Sequence, residues 1–414
     1  MNAPRCLVVG AGLAGLAAAL DLARQGLAVE IHESGPRAGG RCRSYFDREL
    51  DCRLDNGNHL LLSANDNALS YLNDIGTGDS LSGPSEPVFP FHDLATGERW
   101  SLRPNRLSWI FDSTRRVPGA GPGDHLATLR LAWAGNEASV AGELARRGTI
   151  YRRLWEPLTV AILNTEAEAA SAALLWRVLK LTLGRGPDAC RPLVVRQGLS
   201  ESFVTPALAK LTSRRAEIRF GSRLRRLDLA DGLVRMAELG EETRALAPTD
   251  RIILAVPAPV AADLLPNLIV PTEFRAILNA HYRLAPPPDA PAILGLVGGL
   301  AQWVFAKNGV VSVTVSAADA VIERDAGDLA STLWAEVARA YGIDASKTPP
   351  SRIVKEKRAT FAATPAQLRR RPGPVTAWSN LYLAGDWTDT GLPATIEGAI
   401  QSGKRAAAAL LADL

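Results

Sequence analysis

The first forty-one residues constrain the fold of this chain more than any other stretch. Cys6-Leu7-Val8-Val9 is a short β-run that leads directly into Gly10-Ala11-Gly12-Leu13-Ala14-Gly15, a G-x-G-x-x-G. Leu13, Leu16, Ala17 and Leu20 then repeat at helical spacing, which predicts a helix to about Gln25, stopped by Gly26. Leu27–His32 reads as the next strand and ends in Glu33. Strand, glycine turn, helix, strand and acid, in that order, predict a dinucleotide-binding βαβ unit. Gly10 permits the tight turn, Gly12 lets a pyrophosphate approach the backbone, and Gly15 lets the helix pack close to the sheet. The helix start, with Leu13 and Ala14, offers unpaired N–H groups to the phosphates. Glu33 can accept from ribose hydroxyls. The competing reading, a glycine turn in an unrelated α/β unit, leaves the strand, helix and acid unexplained.

Length and composition then bound the rest. A chain of 414 residues suggests two or three domains, and 47% hydrophobic with 22% charged residues leaves ample core. The net charge is only +4, so nucleic-acid binding is not inferred. The run Arg369-Arg370-Arg371 reads as a solvated loop in preference to a phosphate or lipid patch. Cys6, Cys42, Cys52 and Cys190 match no zinc spacing and are too few for a disulfide scaffold, so no metal site is expected and they read as reduced cysteines of a cytoplasmic protein. The nucleotide-binding unit starts near residue 5, which leaves no room for a signal peptide in this sequence. The apolar run Ala290–Ala306 falls just short of a membrane span. Lys307-Asn308-Gly309 separates it from Val310–Ser316, a hairpin signal that assigns the run to a sheet.

Between these landmarks the chain changes character. Asp55-Asn56-Gly57-Asn58-His59 precedes Leu60-Leu61-Leu62, a polar cluster beside an apolar run. His59 is either a proton-transfer group or a hydrogen-bonded structural histidine. Asn65 or Asp66 is expected to cap a helix through Leu72, and Phe89–Leu102 reads as a hairpin. Residues 125–183 show helical signals and no strand, with expected helices at Asp124–Ala134, Gly135–Arg147, Thr149–Leu163 (kinked or broken at Pro157) and Ala169–Leu183. Such apolar helices suit a core or the wall of a greasy cavity. A helix at Ser202–Leu211, a strand at Ile218–Gly221, a hairpin turning at Asp231-Gly232 and a buried strand at Arg251–Val256 follow. Pro266–Pro291 reads as a second excursion, with a proline run at 286–288, Ala326–Tyr341 as a helix and Arg352–Arg358 as a strand.

Two further motifs identify the nucleotide. Gly39-Gly40-Arg41 follows Glu33 closely, and an NAD dehydrogenase has no use for a second glycine pair with arginine there. The run Arg37–Arg41 resembles the second dinucleotide motif of the flavoproteins that include amine oxidases, phytoene desaturases and protoporphyrinogen oxidase. That resemblance implies FAD, with Gly39 and Gly40 passing the pyrophosphate and Arg41 beside it. It implies that the chain crosses the flavin near Asn56, Gly57, Asn58 and His59, and that the backbone of Leu224 meets the adenine. The ending Leu381–Asp386, a loop through Gly391 and a helix from about Thr395 is similar to the closing FAD segment of the family. There Gly385 and Asp386 meet the ribityl chain, and Pro393, Ala394, Thr395 and Ile396 bring a helix N-terminus to the flavin ring.

The resemblance extends over nearly the whole chain. Asp55–Ser63, Leu154–Leu158 with Ala161–Thr165, and Ala384–Thr395 look like the squalene-associated branch of the phytoene-desaturase-like flavoproteins, the hydroxysqualene dehydroxylases. Membership implies an α/β fold: a Rossmann-type FAD domain from 1–65, 195–265 and 350–414, with an inserted α+β substrate domain from 66–194 and 266–349. The helical part of the insert is 125–183 and the β-rich part 290–318. The implied activity is reductive dehydroxylation of hydroxysqualene to squalene, on the way to hopanoids. His59 and Asp389 are the candidate proton donors, since each adjoins a flavin-contacting motif, and either could be structural. An apolar C30 isoprenoid is the expected substrate. The electron donor would be a reduced nicotinamide or a redox protein, because no second Rossmann unit is visible. Contact with upstream squalene-pathway enzymes and peripheral contact with the inner membrane remain open. Three rival readings stand: a carotenoid-type desaturase running the flavin oxidatively, a flavin amine oxidase, and a lipid-binding escort. Lys307 is the lone lysine in the β-rich segment where an amine oxidase would place one, and Glu33, Arg41 and Asp386 speak against an escort that has lost its cofactor.

Overall fold

The computed structural model describes residues 5–105, 107–144 and 148–414. Its first sheet is parallel, with strands ordered Glu217–Phe220, Ala28–Glu33, Arg5–Val9, Arg251–Leu254 and Leu381–Leu383. The central strands are almost wholly apolar because both faces are covered. Cys6 and Val8 face the helices Leu13–Arg24 and Ile396–Ala412. Leu7 and Val9 face the antiparallel meander Leu224–Ala230, Leu233–Leu239, Glu242–Ala245. The two helices lie in close contact: a Cβ on Gly403 would stand 2.1 Å from the Ala14 carbonyl oxygen. A side chain there would push the closing helix off the one that follows the glycine turn.

The second sheet has seven strands, ordered Ser351–Phe361, Phe274–Arg283, Val310–Ser316, Trp303–Lys307, Ile293–Val297, Phe89–Asp93 and Arg99–Leu102. Its outer face carries Leu278, Ala280, Tyr282, Val311, Val313 and Val315 against the helix Ala326–Tyr341. On its inner face, Phe91, Trp303 and Phe305 pack against the helical block, with Trp109, Leu131, Leu154, Trp155 and Leu175.

Several expectations change here. Pro266–Pro291 contains a ten-residue strand, Phe274–Arg283, which pairs on both sides and carries the sheet. Within it Leu278, Ala280 and Tyr282 alternate with Asn279 and His281 at the strand period. Ser351–Phe361, expected within the FAD domain, pairs along that strand as the edge of the second sheet. The cuts expected at 65/66 and 194/195 pass close to or through a small sheet of Leu61–Leu62, Pro192–Val195 and Leu81–Ser82. The run Ile293–Ala306 is two strands separated by Gly298-Gly299.

The helical block contains no strand among its described residues between 125 and 183, and its helices are shorter than expected. Helix Val140–Leu144 lies within the expected Gly135–Arg147, whose last three residues lie outside the described ones. Pro157 sits in the first turn of Glu156–Leu163, where a missing N–H costs nothing, and a π-turn, Tyr151–Trp155, precedes it. Asn164, left-handed at φ 47°, ties the block to the sheet by donating to Thr360 Oγ1 at 2.9 Å and accepting from the Ala317 amide at 2.7 Å. The helix Asp66–Asp74 is capped by neither Asn65 nor Asp66 but by Glu397 of the closing helix, whose carboxylate accepts from the Asn67 and Ala68 amides at 3.1 and 2.8 Å.

Candidate active site

The two glycine turns meet. Gly39 donates to the Ala11 carbonyl at 2.8 Å and bridges to Gly12, and the Gly40 backbone adopts φ +57° beside it. A Cβ on Gly12 would meet nothing within 4 Å, so this junction keeps open space over the helix start. The helix Leu13–Arg24 has no side-chain cap and no acid in its first turn, which leaves the amides around Leu13, Ala14 and Gly15 for an anion. Gly15 and Gly10 are packed: a Cβ on Gly15 would stand 1.9 Å from the Gly10 oxygen. Glu33 stands at the far end of this cradle, accepting from the Ala11 amide at 2.9 Å and the Gly35 amide at 2.8 Å. The turn leading to Leu224 lies on it, with the Ser222 amide donating to the Glu33 carbonyl at 2.9 Å. An open cradle, uncapped amides and an acid at the far end fit an adenine dinucleotide.

The other half of the cradle comes from the C-terminal segment. Arg41 Nη2 donates to Asp386 Oδ1 at 2.8 Å, across 345 residues, and its Nη1 donates to the Ala359 carbonyl. This pair fastens the second glycine motif to the closing loop. Thr395 caps the helix Ile396–Ala412, accepting from the Gly398 amide at 3.1 Å, with Pro393 buried just before it.

Arg371 holds that loop in shape. It is not solvated, as its neighbours suggested, but 8% exposed. Its guanidinium donates to the carbonyls of Leu392 at 2.8 Å and Asp386 at 3.2 Å, to those of Trp387 and Thr388, and to Thr390 Oγ1 at 3.1 Å. It also lies over Phe361, 4.8 Å from the ring centre. Burial pushes it down to about 10, so it stays charged at neutral pH. Arg369 is exposed and pairs with Glu137, so the run is mixed in environment. Three adjacent arginines gave the sequence no signal of which one turns inward.

Above the cradle, Gly57 and Asn58 meet the polar part of the inner sheet face. Asn58 Nδ2 donates to Thr314 Oγ1 at 3.0 Å, and Thr314 Oγ1 donates to Asn279 Oδ1 at 2.8 Å. Asn56 is buried, and its Oδ1 accepts from Arg43 at 3.4 Å. Asn279 and Thr314, on paired strands, join Asn58 in a polar cluster that the sequence reading missed. The period-two pattern of Phe274–Arg283 was the available signal. One strand further along, this polar patch gives way to Trp303 and Phe305. The inner face thus runs from hydrogen-bonding to apolar.

The two proton-donor candidates are placed differently. His59 is half-buried, with burial and Arg41 pushing its pKa below the ordinary 6.5 and Asp55 opposing them. Asp55 is itself engaged, accepting from Ser44 Oγ at 2.6 Å and Lys307 Nζ at 3.1 Å. Asp389 is exposed, and its Oδ1 accepts from the Gly391 amide at 3.1 Å, the work of a turn residue. Among the described residues no group of three His, Cys, Asp or Glu side chains is placed to hold a metal ion.

Fold and cradle together define an FAD-dependent oxidoreductase with its nucleotide held between two chain-distant motifs. The family described as flavin containing amine oxidoreductase matches residues 13–411. A hydroxysqualene dehydroxylase of Rhodopseudomonas palustris is 48% identical over 409 residues, 98% of each chain. A 15-cis-phytoene desaturase of Synechococcus elongatus is 21% identical, with 99% of this chain and 96% of that one covered. Among solved structures, cyclohexylamine oxidase of Brevibacterium oxydans superposes with a TM-score of 0.73 at 16% identity, covering 99% of both chains. The chain belongs to the flavin-containing amine oxidoreductases and, within them, to the hydroxysqualene dehydroxylase family.

Proposed function

We propose that this chain reductively removes the hydroxyl of hydroxysqualene to give squalene, in squalene and hopanoid biosynthesis. The observation that carries this reading is the near-full-length kinship at 48% identity with a hydroxysqualene dehydroxylase, set against 21% for a phytoene desaturase. Reduced FAD, when bound, supplies the hydride that takes the hydroxyl's place, and a proton leaves with the hydroxyl as water. Gly12, Gly39, Gly40 and the first-turn amides, with Arg41 beside them, would hold the pyrophosphate, Glu33 and Leu224 the adenosine, and Gly385 with Asp386 the ribityl chain. Pro393, Ala394, Thr395 and Ile396 would frame the ring end.

The hydroxyl group is met by the polar end of the inner face, Asn58, Asn279 and Thr314. The isoprenoid tails run toward the apolar end, where the packed core of Phe91 and Trp303 against the helical block excludes water. Loss of an allylic-type hydroxyl leaves a stabilised cation, so the chain has to supply a proton, orientation and dryness. His59 is the proposed proton donor, because it is half-buried beside the cradle. Asp389 shapes the loop. Electrons arrive from a reduced nicotinamide or a redox protein that binds transiently. The substrate is passed on by upstream squalene-pathway enzymes, and the protein works as a cytoplasmic enzyme in peripheral contact with the membrane. No helix among the described residues is long and apolar enough to cross one.

The decisive test is anaerobic incubation of the photoreduced holoenzyme with hydroxysqualene in detergent, followed by mass spectrometry. Squalene is expected in amounts up to one per reduced flavin. Desaturation of phytoene by oxidised enzyme, with no squalene formed, would reject the proposal.

A further inference from the structure

The helical run Pro122–Trp133 carries its apolar residues on the wrong side for a soluble surface. Its second part, Ala127–Trp133, is a 3-10 turn, in which residues three apart lie in one row. The row His125, Thr128 and Leu131 is buried. The two outward rows hold Leu126, Leu129 and Trp133, which are 42, 45 and 80% exposed, together with Arg130. Phe111, 66% exposed, adjoins them: it lies two residues from Trp109, whose ring meets His125 edge-on at 5.1 Å. Single exposed apolar residues are ordinary, but four large ones on two adjoining short elements are not.

The charge of the same stretch is equally skewed. Residues 103–133 contain five arginines and two aspartates, a net +3 where the whole chain carries +4. The pairs that engage Arg115 and Arg130 are long, 3.5 Å to Asp112 and 3.8 Å to Glu143, and partly exposed, so they hold these cations weakly. The buried side of the stretch, Trp109, Ile110 and Leu131, packs into the helical cluster that closes on Phe91 and Trp303. Exposed tryptophan and leucine among arginines is the composition of a surface that sits at an anionic lipid interface.

We propose that Phe111, Leu126, Leu129 and Trp133, flanked by Arg103, Arg115, Arg116 and Arg130, form a docking face for an anionic lipid bilayer. The face belongs to the helical block that packs on the inner face of the second sheet, so docking brings that block to the phase in which a C30 isoprenoid dissolves. This last step rests on the proposed substrate; the docking itself does not.

The test is flotation of FAD-loaded protein with vesicles of phosphatidylcholine alone or with one third phosphatidylglycerol, without substrate. Wild type is expected to float with the anionic vesicles and less with neutral ones. The double variant Leu129→Ser, Trp133→Ser is expected to lose at least tenfold in partitioning. Arg115→Gln with Arg130→Gln should lose the preference for anionic vesicles. Phe220→Ser, at an exposed edge of the other sheet, should float as wild type does. Unchanged melting and flavin content in each variant show that it is folded. The proposal is overturned if wild type stays in solution, if the double variant floats like wild type, or if that variant abolishes a dimer and leaves flotation intact. Conversion of hydroxysqualene in detergent micelles should be unaffected by the double variant. Intact flotation without squalene formation by wild type would sink the substrate reading alone.

Discussion

Arg371 and His59 show how differently two basic side chains can be used. The Arg371 guanidinium is nearly saturated by carbonyls of one loop and cannot reach outward, so its effect is to fix the shape of Asp386–Leu392. A lysine has too few donors, in the wrong fork, to replace it. Arg371→Lys should therefore keep the charge and still weaken FAD binding at least tenfold, measured by equilibrium dialysis of the apoprotein. Arg371→Met should also cost about 3 kcal/mol of stability, since the carbonyls it serves lose their donors. Unaltered FAD affinity in both would show that the loop holds its form unaided. His59, by contrast, has a pKa pushed below 6.5, so its imidazolium is scarce at neutral pH. If it gives the proton, single-turnover dehydroxylation falls as pH rises through that lowered pKa, and His59→Ala removes this limb while flavin content is kept. A pH profile in His59→Ala that matches wild type would shift the donor elsewhere. Asp389→Asn should keep most of the activity.

Among the elements, those read well from sequence were the ones whose signal is local. The glycine turns, the helix Leu13–Arg24, the Asn308-Gly309 hairpin and the closing strand, loop and helix carry their turn chemistry and periodicity within a dozen residues. The strand Phe274–Arg283 was hidden because the prolines on either side outweighed the alternation of Leu278, Ala280 and Tyr282 with Asn279 and His281. Those polar residues are inward-facing, where sequence rules expect apolar ones. The cap supplied by Glu397 and the ties made by Asn164 were not legible at all, since each partner lies more than 150 residues away. Such long-range polar contacts are also where single changes act on whole elements. Glu397→Ala leaves the first amides of Asp66–Asp74 without their carboxylate and should cost ~2 kcal/mol, at the upper end for a lost cap. Gly403→Ala places a methyl group against the Ala14 carbonyl and should cost ~3 kcal/mol by parting the two helices. Because Ala14 belongs to the cofactor turn, FAD affinity should fall with stability in that variant but not in Glu397→Ala. Thermal melts with and without added FAD separate the two cases.

Across the whole molecule, the second sheet is locked to the cofactor half through the hairpin Ser44–Asp47, Cys52–Asp55. Arg352 of the edge strand pairs with Asp47 at 2.6 Å, and Lys307 with Asp55 at 3.1 Å. His281 lies fully buried in this junction, its Nδ1 on Ser312 Oγ at 2.7 Å and its Nε2 without a partner. Burial pushes it down to about 4, with Asp55 and Asp47 opposing and Lys307 assisting. The folded chain thus keeps this imidazole neutral at a pH where the unfolded chain, with a pKa near 6.5, would bind a proton. Between pH 6.5 and 4 the unfolded state holds the extra proton, so stability is lost as pH falls through that window and is unaffected above it. At about 1.4 kcal/mol per unit, the loss from this one group is on the order of 3 kcal/mol. Burial lowers His92 and His125 as well, which steepens the slope in the same direction. The apparent melting temperature at saturating FAD should be flat from pH 8 to 6.5 and then fall. In His281→Gln, which keeps a partner for Ser312 but cannot titrate, the fall should be shallower by roughly one proton's worth. An identical slope in that variant would show that acid opens the molecule somewhere other than the junction between its two sheets.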